Sequence, residues 1–277
     1  MRAVHDNDGQ QMIPGASGAG FQESPVLPRV CIGSARAMYV GPGLNLAPHL
    51  NAATTIAVSL QDPFSLRVWL PCGRWSAWQP KAACVIRSST LHHVRSSGPM
   101  AFLFLDPLED RRQPLAEDDL LLGRRHLMQS GNRIGIDEAF SAFGLDASRP
   151  SGARIAKVVR AVERFPHEFK RVQDAAALAC LSPSRFRARF RAEVGLPFRR
   201  YRLWRRMAVV MRSIVGGSNL TDAALAAGFS SSAHLSSAFK RMFGLSASDV
   251  LALGVTIELA DDAALANQPD PLQRSET

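Results

Sequence analysis

Two textures of apolar and polar positions succeed each other along this chain. Between residues 26 and 108 short apolar runs (36–40, 54–60, 66–70, 83–87 and 100–105) are separated by stretches containing Pro and Gly. Short β-prone runs bounded by turn formers predict strands, and their spacing predicts a β-sandwich or barrel. From residue 109 the period lengthens, and 116–128, 137–143 and 153–165 read as helices, with 146–152 as a linker and Pro166 as a stop. The pattern stays helical as far as Gly254. Residues 255–277 form an Ala- and Asp-rich, mildly acidic tail, and residues 1–25, rich in Gly, Gln, Ser and Asn, predict a disordered leader. The fold class is therefore α+β, with five segments: leader 1–25, β domain 26–108, helical connector 109–149, helical domain 150–254 and tail 255–277.

The helical domain carries the same pattern twice. Leu181-Ser182-Pro183-Ser184 leads into Phe186 and Phe190 and stops at Gly195; Phe229-Ser230-Ser231 leads into Leu235 and Phe239 and stops at Gly244. The repeat is 49 residues, from Phe190 to Phe239 and from Gly195 to Gly244. Each copy follows a small-residue helix, at 174–179 and 222–227, through a tight polar turn. That is the outline of a tandem helix-turn-helix. In the first copy Ser182 is suited to N-cap a helix and Pro183 to its first position, while Gly195 supplies a left-handed stop. Steps of about 100° per residue put Phe186 and Phe190 inside, turn Ser184, Ala188 and Arg191 outward, and leave Arg185 and Arg187 at the edges. In the second copy Leu235, Phe239 and Phe243 point inward, with Ala233, His234, Ser236, Ser237, Lys240 and Arg241 outward. Between the copies 197–214 reads as one amphipathic helix carrying Phe198, Tyr201, Met207 and Val210. At 1.5 Å per residue it spans roughly 27 Å, a strut that suits two helices set about 34 Å apart in successive major grooves.

Charge sharpens this picture. Residues 150–254 hold 18 Lys and Arg against six Asp and Glu, a net of +12, and the rest of the chain is at −3. Between Arg185 and Arg212 there are ten arginines and one acid, Glu193. Arginine forks suit phosphate and guanine edges, so the helical domain carries the attraction for a polyanion. The four cysteines, Cys31, Cys72, Cys84 and Cys180, have no paired or CxxC spacing, which fits a reducing cytoplasm. Asp6, Asp8 and several glycines break any signal-peptide core, and no apolar run approaches the ~18 residues of a membrane span.

Residues 153–254 resemble the DNA-binding domain of AraC/XylS-type transcriptional regulators. The matching residues are Leu181-Ser182-Pro183-Ser184, Phe190 and Gly195; Phe198, Tyr201 and Arg206; and Leu220-Thr221-Asp222-Ala223-Ala224, Gly228-Phe229-Ser230, Phe239-Lys240-Arg241 and Phe243-Gly244. The resemblance implies a sequence-specific transcription factor that binds duplex DNA, contacts RNA polymerase if it activates, and works in a bacterial cytoplasm, with no catalytic residues. The expected DNA contacts are Ser184, Arg185, Arg187 and Arg191 in the first copy, Arg206 on the joining helix, and His234, Ser236, Ser237, Lys240 and Arg241 in the second. The chain departs from the family at Ala188 and Ser237, where an Arg is common. Ala175 and Ala223 replace larger aliphatics, implying closer helix packing. Asp249 and Val250 stand where an aromatic often closes the domain.

The β domain is similar, more loosely, to the cupin-like sensor domains that precede such readers, which implies a small-molecule effector and a homodimer. His49, His92 and His93 are its candidate ligand-binding residues. They lack the further His or Glu of a closed metal site, so no metal and no cofactor are expected. Trp69, Trp75 and Trp78 read as core and rim residues. Two rival functions follow from other residues. Pro71-Cys72-Gly73-Arg74 resembles the Pro-Cys-His-Arg of DNA alkyltransferases, but Gly73 replaces the histidine that would activate the thiol. Ala188, Ala233 and Ser237 would also suit a partner-binding regulator with degraded DNA readout.

Overall fold

A computed structural model describes residues 27–33, 36–105, 115–145 and 152–260. The expected leader, most of the expected linker and residues 261–277 lie outside them. The β domain contains β1 (Arg29–Ile32), β2 (Ala37–Gly41), β3 (His49–Leu50), β4 (Thr55–Ser59), β5 (Phe64–Val68), β6 (Gln79–Lys81), β7 (Ala83–Ile86), β8 (Leu91–Arg95) and β9 (Met100–Phe104). These strands form two sheets, ordered β3-β8-β5-β6 and, with one late addition, β10-β1-β2-β9-β4-β7. The late strand β10 (Thr256–Leu259) follows the helical domain and pairs in parallel with β1.

The larger sheet is covered on both faces, and its strands read accordingly. All five residues of β4 are buried, the continuous apolar texture of a doubly covered strand. On one face Tyr39, Ala57 and Phe102 meet Phe64 and Val94 of the smaller sheet. On the other, Met38, Val40, Ile56 and Leu103 pack under α1 (Glu117–Ser130) and α2 (Ile136–Ser141) through Leu127, Ile136 and Phe140. The connector helices thus belong to the β domain's core.

The helical domain comprises α3 (Ala153–Arg164), α4 (Val172–Leu178), α5 (Pro183–Val194), α6 (Phe198–Val215), α7 (Leu220–Ala226), α8 (Ser232–Phe243) and α9 (Ala247–Ala252). Its residues fall into two cores. Ile155, Val158, Val162, Phe169, Phe186, Phe190 and Tyr201 build the first around α3, α4, α5 and the start of α6. The second joins Trp204, Met207, Leu235, Phe239 and Val250 to Ile32, Ala52 and Ala53 of the β domain.

Only three residues separate α9 from β10, so the second half of the helical domain is held closely to the larger sheet. The ladder pairs Arg29 with Thr256 and Ile32 with Leu259, and the Thr256 and Ala260 N–H groups donate to Pro28 and Ile32 carbonyls, both at 2.9 Å. Arg29 Nη1 adds an ion pair to Glu258 Oε2 at 3.2 Å.

Candidate DNA interface

The two copies start and stop as their sequences require. Ser182 Oγ accepts the Arg185 N–H at 3.4 Å with Pro183 in the first turn, and Gly195 closes α5 at φ 84°. Ser231 Oγ accepts the His234 N–H at 3.1 Å, and Gly244 closes α8 at φ 82°. Such caps satisfy backbone groups that a helix end leaves bare. Under α5, Phe186 and Phe190 lie 5.3 Å from Phe198, and Phe190 lies 5.6 Å from Tyr201. Under α8, Leu235, Ala238, Phe239 and Met242 are buried. Phe243, expected with them, is half-buried and turns to Phe104 of β9 at 5.5 Å and Trp204 at 6.2 Å.

Ser184, Arg185, Arg187 and Arg191 are exposed on α5, as are His234, Ser237, Lys240 and Arg241 on α8, while Ser236 is half-buried. Arg187 and Arg191 share with His234 and Arg241 a groove of about 760 Å³, floored by Arg199 and Arg202 of α6 and edged by Lys170. No carboxylate is among its described lining residues. Arg199 and Arg202 are not among the contacts expected from sequence, although their spacing three apart on an amphipathic helix is a legible signal. Arg202 Nε donates to the Pro166 carbonyl at 2.8 Å, and burial lowers its pKa.

Arg206, expected among the DNA contacts, also lines this groove but is largely buried, at 7% exposure. Its Nε donates to the Ala227 carbonyl at 2.7 Å and its guanidinium covers the Phe229 ring at 3.6 Å. Burial, helped by Arg202, brings its pKa down to about 10, so it stays charged at neutral pH. The carbonyl and the ring face hold this cation against the turn between α7 and α8, and its Nη2 has no hydrogen-bond partner among the described residues.

Behind this interface, where the domains meet, is a cavity of about 110 Å³. Tyr39, Phe102 and Phe104 line it from the sheet, Trp204 and Met207 from α6, and Phe239 and Phe243 from α8. His49 and His92 reach it as a register pair of β3 and β8, with ring centroids 4.2 Å apart. Nδ1 of His49 bonds the Ala47 carbonyl at 2.9 Å and Nδ1 of His92 bonds that of Thr90 at 2.8 Å, so each Nδ1 carries the proton. Burial, then the neighbouring His92, pushes the His49 pKa down to about 3, and burial lowers that of His92 as well. Both rings are therefore neutral at neutral pH.

His93 does not join them. Adjacent residues of a strand face opposite ways, and His93 lies with Trp78 at 4.9 Å and Arg67 at 3.1 Å on the other face. There Arg67 is sandwiched between Trp75 and Trp78, 4.6 Å from each ring, so these tryptophans stack on cations at the domain's rim. Among the described residues no three His, Cys, Asp or Glu side chains gather as a metal site, and no hydrogen-bonded base attends the exposed Cys72. One polar group at the cavity is unusual. Arg205, 2% exposed, lines it, and its Nε and Nη2 have no hydrogen-bond partner among the described residues.

Residues 175–252 match a family model described as a helix-turn-helix domain. No curated protein sequence matches the chain. Among solved structures, ToxT from Vibrio cholerae O395 is similar at a TM-score of 0.52 and 10% identity, over 79% of this chain and 98% of that one. An apo ToxT variant from Vibrio cholerae strain SCE256 gives 0.54 and 11% over 79% and 97%. No described helix is long and apolar enough to cross a membrane. Residues 175–252 are thus an AraC-type helix-turn-helix domain, and the chain, β-rich domain first and helical domain second, shares the fold of ToxT.

Proposed function

We propose that this chain is a sequence-specific DNA-binding transcription factor of a bacterial cytoplasm, controlled by a small organic molecule held where its domains meet. The observation that carries the reading is the groove: two capped recognition helices flank one cationic channel with no carboxylate among its described lining residues. Phosphate neutralisation by such a channel makes binding steeply salt-dependent. A mobility-shift titration of the full chain on duplex DNA should therefore lose affinity by orders of magnitude between about 50 and 200 mM salt. Absent or salt-insensitive binding overturns the reading.

The cavity supports the effector. It is apolar and compact, with Arg205 the unpaired charge at its wall; a buried unpaired guanidinium costs stability that an acid group would return. The effector is accordingly a compact organic acid, bound without metal. Benzoate should raise the melting temperature of the full chain, and Arg205→Met should abolish the rise; toluene giving the same rise would refute the acid group. Leu121 and Met128, exposed seven residues apart on one face of α1, support a homodimer. If the protein activates, RNA polymerase is a further partner.

A further inference from the structure

We infer that His234 is the base-reading residue of the second copy, and that Ser230, Phe229 and Arg206 are positioning residues that hold its ring for the task. The inference rests on the DNA-binding reading above and goes beyond it in naming the residue and its support. His234 stands in the first turn of α8, and first-turn residues of recognition helices meet base edges. Its ring is fixed on two sides. Nδ1 is hydrogen-bonded to Ser230 Oγ at 3.0 Å. The ring also stands edge-on to Phe229, 5.3 Å away at 86°. Phe229 is itself buried, 2% exposed, and covered by the Arg206 guanidinium. The stack Arg206, Phe229, His234 runs from the strut α6 to the reading surface and leaves Nε2 as the ring's free hydrogen-bonding atom, at the carboxylate-free groove.

The first copy provides the control for whether the helix-turn-helix fold needs this brace. Forty-nine residues earlier the same positions hold Cys180, Leu181 and Arg185. None of these can reproduce the ring, the hydroxyl or the imidazole, yet α5 is capped, packed and ended as α8 is. The brace is therefore extra to the fold. Nor does a phosphate contact call for a fixed ring, since Lys240 and Arg241 are exposed on the same helix. A group held before binding loses less entropy on binding, which is what a single directional contact to a base requires. With the Ser230 hydroxyl donating to Nδ1, Nε2–H donates to guanine O6 or N7 or thymine O4. With the hydroxyl turned to accept, Nε2 accepts from adenine or cytosine amino groups. The direction of the contact is thus coupled to the orientation of the Ser230 hydroxyl.

Selection of binding sites from random duplex DNA by the full chain tests this. His234→Ala should flatten preference at one or two adjacent base pairs of one half-site, a loss of roughly fivefold discrimination for one hydrogen bond. The other half-site should be unchanged. Ser230→Ala should blur the same base pairs, and Ser230→Thr, which keeps the hydroxyl, should restore them. A purely structural role would weaken all sequences alike and leave the profile intact. A wild-type motif unchanged in His234→Ala overturns this inference alone; a wild type that selects no motif overturns the DNA-binding reading with it.

Discussion

Phe186 and Phe190 of the first copy share a core with residues of α3, α4, the start of α6 and Phe169, whereas their counterparts Leu235 and Phe239 share one with Ile32, Ala52 and Ala53 of the β domain. The same helix, with the same cap and the same stop, belongs to the helical domain's own core in one place and to a domain interface in the other. The second copy is held there at several points. The Ala47 N–H donates to the Gly244 carbonyl at 2.9 Å, and a Cβ on Gly244 would lie 2.7 Å from Ala47 O and His49 Nδ1. After it, β10 completes the larger sheet, whereas the contact of Arg200 with the Ser89 hydroxyl ties the start of α6, next to the first core, to the β domain. Local sequence decides that the helix forms, and what it packs against decides whether a change in the β domain can move it. Phe239 and Phe243 line the cavity themselves, so anything bound there touches α8 directly, while α5 feels it only through the strut.

The largest effects should separate the two cores. Phe186→Ala and Phe239→Ala each remove a buried ring, at a cost of about 3–5 kcal/mol. Hydrogen exchange should show Phe186→Ala loosening α3–α5 alone and Phe239→Ala loosening α7–α9 together with β1 and β2. If β1 and β2 keep full protection in Phe239→Ala, the two copies are equivalent after all.

Next in size is readout by the first copy, where Arg187 and Arg191 stand around the small Ala188 and can reach guanine bidentately. Arg187→Ala should cost about 1–3 kcal/mol of discrimination, confined to one half-site, and site selection that returns the parental motif would refute it. Together with the His234 variants this assigns each half-site to a helix.

Acid should act on the β domain where it meets the second copy. His49 and His92 are held neutral, with folded pKa values below those of the unfolded chain. As pH falls below about 6.5 the unfolded chain gains protons that the folded chain refuses, so stability present at neutral pH is lost, at up to about 1.4 kcal/mol per pH unit for each ring. Chemical denaturation followed between pH 7.5 and 5 should show that slope, and His49→Gln should lessen it; a flat profile in the wild type would contradict the assignment. The smallest effect is expected of Lys240→Ala, which should weaken all DNA sites alike and flatten the salt slope by about one unit without altering the motif.

How legible each region is in the sequence follows from the range of its signal. The copies announce themselves locally: Ser182 and Ser231 before the helices, glycines after them, apolar residues three and four apart between. Four of the five strands expected from sequence carry apolar runs, and β5 alternates as Phe-Ser-Leu-Arg-Val. The unexpected ones are weaker signals: β1 has only Val30-Cys31-Ile32 beside the expected leader, β3 has two residues, β6 is Gln79-Pro80-Lys81, and the paired histidines in β8 interrupt its alternation. Once β8 is a strand, His92 and His93 cannot share a site. Arg206 reads as a DNA contact because arginine in a basic stretch is ordinarily solvated, and only the placement of Phe229 and Ala227 takes it inside. Most of what the sequence hides concerns pairing between distant segments, above all β10, which lies in a stretch whose composition reads as a tail.

That last pairing bears on how the protein is made. Arg29 and Glu258 are 229 residues apart, and at the usual 5–20 residues per second β1 emerges roughly 10–50 seconds before the strand that covers its edge. Through that interval the nascent β domain presents a bare sheet edge, the kind of template on which chains aggregate. This late strand therefore works as a built-in seal, and a chain cut just before Thr256 should retain α5 and α8 yet accumulate in the insoluble fraction.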